Sequence, residues 1–317
     1  MFADFDDFDV TTMTLVMSLN KEITNKRAIF YLMPVVEIAL YPGDISSIRY
    51  KGKIRGKTGS FFKNAILINI KTSNRSGISL KLSATSIQLC GASCKEDGIE
   101  AAEFVMMYLA YITKILQEFK ENLFYCNWFI NSSRGSSVVI NYESDDSIIS
   151  CSDNTLNCPI FDFKSLLIQF LINTLWEFEF HSQLVYRIRK IIKYLDYDLN
   201  FNDMNFGEPE IAMVNYNYNL EFEIDRQKLA QLIHGKEGFT GRFSNVFVTG
   251  CKIELPYEPR ENKTIKRRRN KTPHHTFLVY MSGNVTQSGP GGQITKDAYY
   301  SFMKVVESIK EEVIYLP

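Results

Sequence analysis

The chain has 317 residues and is 45 % hydrophobic, enough to fill the core of one large or two small domains. Its 36 Lys and Arg balance 36 Asp and Glu, so net charge alone says nothing about nucleic acid. No apolar run is long enough to span a membrane, and Phe2, Asp4, Asp6 and Asp7 contradict the basic start of a signal peptide.

The six cysteines, Cys90, Cys94, Cys126, Cys151, Cys158 and Cys251, show no regular framework and predict an intracellular, reducing compartment. His181, His234, His274 and His275 lie far from them in sequence, so neither a zinc pattern nor any other cofactor motif emerges. Residues 289–292, Gly-Pro-Gly-Gly, lack the Gly-Lys-Ser/Thr ending of a phosphate loop and read as a helix-opening turn. No nucleophile or general base stands out, which predicts a protein that is not an enzyme.

In chain order, residues 1–11 form an acidic arm expected to be mobile. Its Phe2, Phe5 and Phe8 could instead fold back onto a binding groove and imitate its ligand. A strand covers 12–19. Residues 29–40 suit a helix or two strands, interrupted by Pro34. The basic, Gly-rich run 50–57 reads as a turn or exposed hairpin. Strands opened by Phe62, Leu80 and Ile87 follow, then a helix striped by Ala101, Val105, Leu109 and Ile112 that ends near Lys120.

Residues 121–207 read as an insert. They comprise a hairpin of 124–130 with 138–142, a loop at 145–159 and one or two helices over 163–195. The pattern then resumes. A strand fills 211–222, and Asp225 caps a short helix through Leu229, Leu232 and Ile233. A strand follows from Phe243, and the long polar connection 256–273 carries a basic island. A strand at 277–281, the turn Ser282-Gly283-Asn284 and a strand at 285–288 lead into a helix capped by Thr295 or Asp297. Its stripe is Ala298, Phe302, Val305, Val306, Ile309 and Val313.

The two ends of the chain match. Leu80-Lys81-Leu82 aligns with Leu278-Val279-Tyr280, the run from Ile87 to Gly91 with that from Val285 to Gly289, and the Phe62 strand with the Phe243 strand. Such duplication predicts an internal pseudo-twofold. Residues 12–120 would be the first repeat and 208–317 the second.

A unit of strand, short helix, antiparallel strands and long helix, used twice, resembles the TATA-box-binding protein family, over about two-thirds of the chain. The divergence and the insert look like the distant versions carried by large DNA viruses. The resemblance implies an α+β saddle: a curved antiparallel sheet with helices on its convex face. It implies a monomeric transcription initiation factor that binds and bends AT-rich double-stranded DNA through the minor groove, with transcription factors or RNA polymerase subunits as partners. The compartment would be the nucleus, or a viral factory or virion. The alternative is a protein-interaction scaffold that has lost sequence-specific DNA binding, and an enzyme confined to the insert is a third reading.

Strand alternation then assigns faces. Ala65, Leu67, Ile87, Leu89, Val246, Val248, Val279 and Val285 are expected to pack under the helices. Phe62, Ile66, Leu80, Leu82, Gln88 and Cys90 would line the DNA side of one half; Phe243, Phe247, Leu278, Tyr280, Thr286 and Ser288 would line the other. By resemblance, the wedges inserted between base steps are Phe62 with Leu82 and Phe243 with Tyr280. Lys266, Arg267, Arg268 and Arg269 fall where the family has a loop beside the DNA backbone, and would contact phosphates. Thr14 and Met213 replace the family's two central asparagines, Gln88, Asn215 and Thr286 replace groove-facing valines, and Ile68 and Thr249 replace arginines. These departures imply altered or relaxed sequence preference.

Overall fold

A computed structural model describes residues 3–36, 38–56, 63–121, 139–140, 149–150, 199–243, 250–258 and 272–315. Phe62, Phe247, Lys266, Arg267, Arg268 and Arg269 lie outside the described residues, as do Val246, Val248 and nearly all of the expected insert. The chain is α+β with mostly antiparallel strands, in two units. No described helix is long and apolar enough to cross a membrane.

The first unit comprises Met1–Val16, Cys90–Lys95 and Pro209–Pro317. Strand β1 (Val10–Ser18) enters it near the start of the chain. The second unit comprises Met17–Leu89 and Glu96–Glu208.

In the second unit, helix α1 (Lys26–Leu32) is capped by Asn25, whose side chain accepts from the Ala28 N–H. It stops just before Pro34, as the restriction on residues preceding proline requires. Strands β2 (Ile45–Tyr50) and β3 (Lys53–Gly56) form the hairpin expected from the basic Gly-rich run. The Lys51-Gly52 loop between them has φ of 45° and 80°, as a two-residue hairpin turn needs. Strands β4 (Ile66–Ile70), β5 (Ile78–Leu82) and β6 (Ser86–Ala92) complete a sheet ordered β6-β5-β4-β2-β3. The long helix α2 (Lys95–Glu121) follows, with its predicted stripe Ala101, Val105, Leu109 and Ile112 buried. The returning segment is tied to it, because the Phe201 N–H donates to Thr113 Oγ1 at 2.8 Å.

Between them, β7 (Val139–Ile140) pairs with β8 (Ile149–Ser150). The expected strand at 138–142 thus pairs forward, into the stretch expected to be loop, and 124–130 lies outside the described residues.

The first unit's sheet runs β10-β11-β12-β13-β9-β1 and is antiparallel throughout. Its further strands are β9 (Glu210–Asn219), β10 (Thr240–Arg242), β11 (Gly250–Pro256), β12 (His274–Tyr280) and β13 (Asn284–Gly289). Asp225 caps α3 (Arg226–Ile233) as expected, accepting from the N–H groups of Gln227 and Lys228. Gly241 is required where α3 meets β10, since a Cβ there would stand 2.2 Å from the Ala230 carbonyl oxygen. Helix α4 (Gln293–Ser308) starts earlier than expected, behind Gly292 and without a side-chain cap. Thr295 instead spends its hydroxyl oxygen on the Gly291 N–H, at 2.9 Å. A short α5 (Lys310–Val313) ends the unit.

The buried stripe of α4 closes the core. Phe302 stacks on Phe277 of β12 with ring centroids 4.4 Å apart, and Phe239 packs edge-on against both. Strand, helix, strands, hairpin and long helix occur in this order in both halves of the chain, with β3 as an additional strand in the first.

Candidate nucleic-acid interface

The strands of the first unit bury one set of side chains and expose the other. Phe277, Val279, Val285 and Gln287 are 0–1 % exposed, whereas their neighbours Leu278, Tyr280, Thr286 and Ser288 are half-buried. Register aligns the exposed set in rows across the sheet. Thr12, Asn215, Ser288, Thr276 and Glu254 stand opposite one another in turn. So do Asn217, Thr286, Leu278 and Lys252 in the next row. Asn219 faces Asn284, and Tyr280 faces Gly250.

The part of this face on β1, β9 and β13 is a lattice of short, uncharged hydrogen-bonding groups. Asn215 donates to Thr12 Oγ1 at 2.8 Å, Thr286 donates to Asn217 Oδ1 at 2.8 Å, and Asn219 donates to Asn284 Oδ1 at 2.7 Å. Because Asn217 is engaged through its carbonyl, its NH2 group stays available on an exposed residue. Thr14 and Met213 stand opposite each other further along, and Thr14 donates weakly to Cys90 Sγ at 3.6 Å.

Charge gathers at one edge. Arg242 of β10 is opposite Lys252 of β11, and Glu254 binds Lys252 at 2.6 Å and Arg242 at 3.8 Å. The Lys252 ammonium, hydrogen-bonded to it, holds the Glu254 carboxyl below its ordinary range. Two cations against one carboxylate leave this corner net positive.

Four expected DNA-side residues thus lie on the open face of the first unit: Leu278, Tyr280, Thr286 and Ser288. Phe243 does not join them. Arg242 points with Lys252, so the next residue takes the opposite face. There the Arg226 guanidinium lies 5.3 Å from its ring centroid, and the ring lines an open depression of 570 Å³ with Ala230, His234 and Gly241. The expected pairing of Phe243 with Tyr280 is therefore corrected.

In the second unit the assignment of β4 and β5 inverts. Leu80, Leu82 and Ile66 are 0 % exposed, and Ile66 pairs with Leu82 as Ile68 does with Leu80. The opposite set there is Lys81 with Leu67 and Ser79 with Asn69, so Leu67 is buried as expected but on the other side of the strand. The cause is a turn of different length. Two residues, Ala84 and Thr85, separate Ser83 from Ser86, whose carbonyl accepts from the Ser83 N–H at 2.9 Å. Three residues, Met281 to Gly283, join β12 to β13, with the Gly283 N–H bonded to the Tyr280 carbonyl at 3.0 Å. Aligning the hairpins without this difference slips β5 by one residue, and one residue exchanges the faces. Within β6 the expectation holds: Ile87 and Leu89 are buried, Gln88 is half-buried and Cys90 is exposed. Ala65 is buried as expected.

The acidic arm does not approach the open face. Phe5 and Phe8 lie against Tyr216 and Tyr218, which β9 sends to the helix-bearing side, and against Tyr299 of α4.

Asn217, Asn219, Lys252 and Arg242 were not among the expected site residues. The alternating Asn215-Tyr-Asn217-Tyr-Asn219 was a readable signal for the first two, since period two puts all three on one face.

His275 anchors the buried side. It is 1 % exposed, packed on Tyr257, and its Nδ1 has no hydrogen-bond partner. A Cβ on Gly289 would approach that nitrogen to 2.5 Å. Burial pushes its pKa down to about 4. Between about pH 6.5 and 4 the unfolded chain binds a proton here that the folded chain refuses, so stability falls as pH falls through this window. The loss should be on the order of 3 kcal/mol. Urea unfolding at pH 7 and pH 4.5 should show it, and His275→Gln should flatten the difference.

No protein-family model matches the chain, and no curated protein matches it. A solved structure of Methanococcus jannaschii TBP is similar at 11 % identity, over 96 % of this chain and 98 % of that one, with a TM-score of 0.35. At that likeness the role of the face has to be read from its own side chains.

Proposed function

We propose that this protein is a non-enzymatic DNA-binding factor that engages AT-rich duplex in the minor groove through the open face of β11, β12, β13, β9 and β1, and serves transcription initiation. The observation that carries the reading is the uncharged lattice of Asn, Thr and Ser side chains on that face, interrupted by Leu278 and Tyr280. The A·T minor groove presents acceptors without donors, so amide and hydroxyl donors suit its floor and charged side chains are not needed there. Phosphate contact falls to the edge, where Arg242 and Lys252 leave positive charge, and to Lys266, Arg267, Arg268 and Arg269 of the basic connection.

Recognition in this form differs from insertion of four wedges. Leu80 and Leu82 are core, and Phe243 belongs to the helix-bearing side, which leaves Tyr280 as the described aromatic wedge. The bend should accordingly be smaller than a four-wedge kink would give.

A gel-shift series on AT-rich and GC-rich duplexes, with bending probes and stepped salt, tests the proposal. AT-rich duplex should bind about tenfold or more tightly, since each well-made base contact is worth roughly 1–3 kcal/mol. Arg242→Gln should reduce the slope of log K against log salt by about 1. The second reading, a protein-interaction scaffold, draws support from the Glu254 carboxylate, which offsets one of the two edge cations. It predicts no salt-dependent binding to either duplex.

A further inference from the structure

Residues Ala3 to Asp9 are placed as a peptide is placed in a peptide-binding site. The Asp4 side chain accepts from the Asp6 N–H and caps a 3-10 turn, Phe5–Asp7, closed by the Phe8 N–H on the Phe5 carbonyl. Three residues per turn bring Phe5 and Phe8 to one side and leave the carboxylates of Asp6 and Asp7 on the other. Phe5, 6 % exposed, sits 4.7 Å from the Tyr216 ring and 5.4 Å from Tyr299. Phe8 stacks on Tyr218 at 5.2 Å and meets Tyr299 at 5.6 Å.

The polar contacts complete a recognisable set. The Tyr299 hydroxyl donates to the Ala3 carbonyl and the Tyr300 hydroxyl to Asp4 Oδ1, each at 2.7 Å. Lys296 forms an ion pair with Asp6. Three tyrosine rings bind two aromatic side chains, and a lysine with a tyrosine hydroxyl reads the acidic groups between and before them. Before Val10 the arm belongs to no strand, so side-chain contacts and not a backbone ladder hold it in the seat.

We propose that this tyrosine seat on α4 and β9 is a docking site for a partner protein carrying an acidic segment with aromatic residues three positions apart, and that residues 3–9 are its competitor in cis. A short tether keeps the arm at an effective concentration of about millimolar, so a partner segment must displace it or bind when it is loosened. The site lies on the side of the sheet opposite the lattice of Asn, Thr and Ser. It does not depend on the DNA reading.

The test uses the full chain and a labelled peptide with the sequence of residues 3–10, followed by fluorescence anisotropy. Wild-type protein should bind it weakly. The arm variants Phe5→Ala/Phe8→Ala and Asp4→Lys/Asp6→Lys should each bind about tenfold more tightly or better, as removal of a tethered competitor requires. Adding Lys296→Glu should cancel the gain, and a peptide with both Phe replaced by Ala should not bind. If the aromatic variant fails to fold, the charge variant, which keeps both rings, decides. Folded arm variants that bind the peptide no better than wild type would overturn the proposal. So would a wild-type dimer that the peptide dissolves, because the seat would then belong to the arm of a second copy.

Discussion

Leu80→Lys is expected to unfold the second unit, while Lys81→Leu beside it is expected to cost no more than about 1 kcal/mol. Leu80 is 0 % exposed and pairs across the sheet with Ile68, itself 0 % exposed. An ammonium placed there loses its hydration and finds no carboxylate among the neighbouring Ile66, Ile70, Ile78 and Leu82 of the same face. The cost should exceed about 4 kcal/mol, against the roughly 5–15 kcal/mol that stabilises an ordinary domain. Lys81 points to the other side with Leu67 and is only half-buried, so a change there is felt less. Urea denaturation followed by circular dichroism separates the two. The opposite ranking would restore the face assignment read from the sequence.

The second large effect is expected at Phe302. Its ring stacks on Phe277 at 4.4 Å with an interplanar angle of 16° and meets Phe239 at 6.2 Å, all three nearly or fully buried. Phe302→Ala removes the shared partner of two other rings and leaves a void that neither α4 nor β12 can close without breaking its own hydrogen bonds. The expected loss is about 3–5 kcal/mol. Phe302→Leu, which keeps most of the volume, should lose less than half of that, about 1.5 kcal/mol. Thermal melts of the two variants check both the size and the ordering.

Much of the first unit was legible because its strands alternate cleanly. Thr276 to Tyr280 and Asn284 to Ser288 each bury every second residue, and Asp225 announces α3 with a residue type favoured at helix caps. The second unit was harder to read for a definite reason. Strand β5 alternates Ile-Ser-Leu-Lys-Leu, and its pattern alone places the three apolar residues inside. Alignment with β12 hides that local signal, because similarity of letters carries no information on the length of the turn that fixes register. Strand β4 carries Ile66, Leu67, Ile68 and Ile70 all buried, so hydrophobicity could not tell its faces apart.

The candidate site was legible in part. Alternation alone places Tyr280, Leu278, Thr286 and Ser288 on the open face, whereas the side taken by Phe243 is set by β10, which ends one residue before it at Arg242. The placement of the acidic arm is not legible, because charge and shortness suggest mobility and nothing local points to the tyrosines of β9 and α4 that receive Phe5 and Phe8.

The proposed DNA contact of the open face can be tested with one substitution, Asn217→Asp, which turns an exposed amide at the centre of the lattice into a carboxylate of nearly the same shape. Affinity for an AT-rich duplex should be measured at fixed salt for this protein and for wild type. If the lattice presses on the groove floor, lost donation and added repulsion should weaken binding by about tenfold or more, with the fold intact. Equal affinity for the two proteins would place the nucleic acid elsewhere and contradict the assignment.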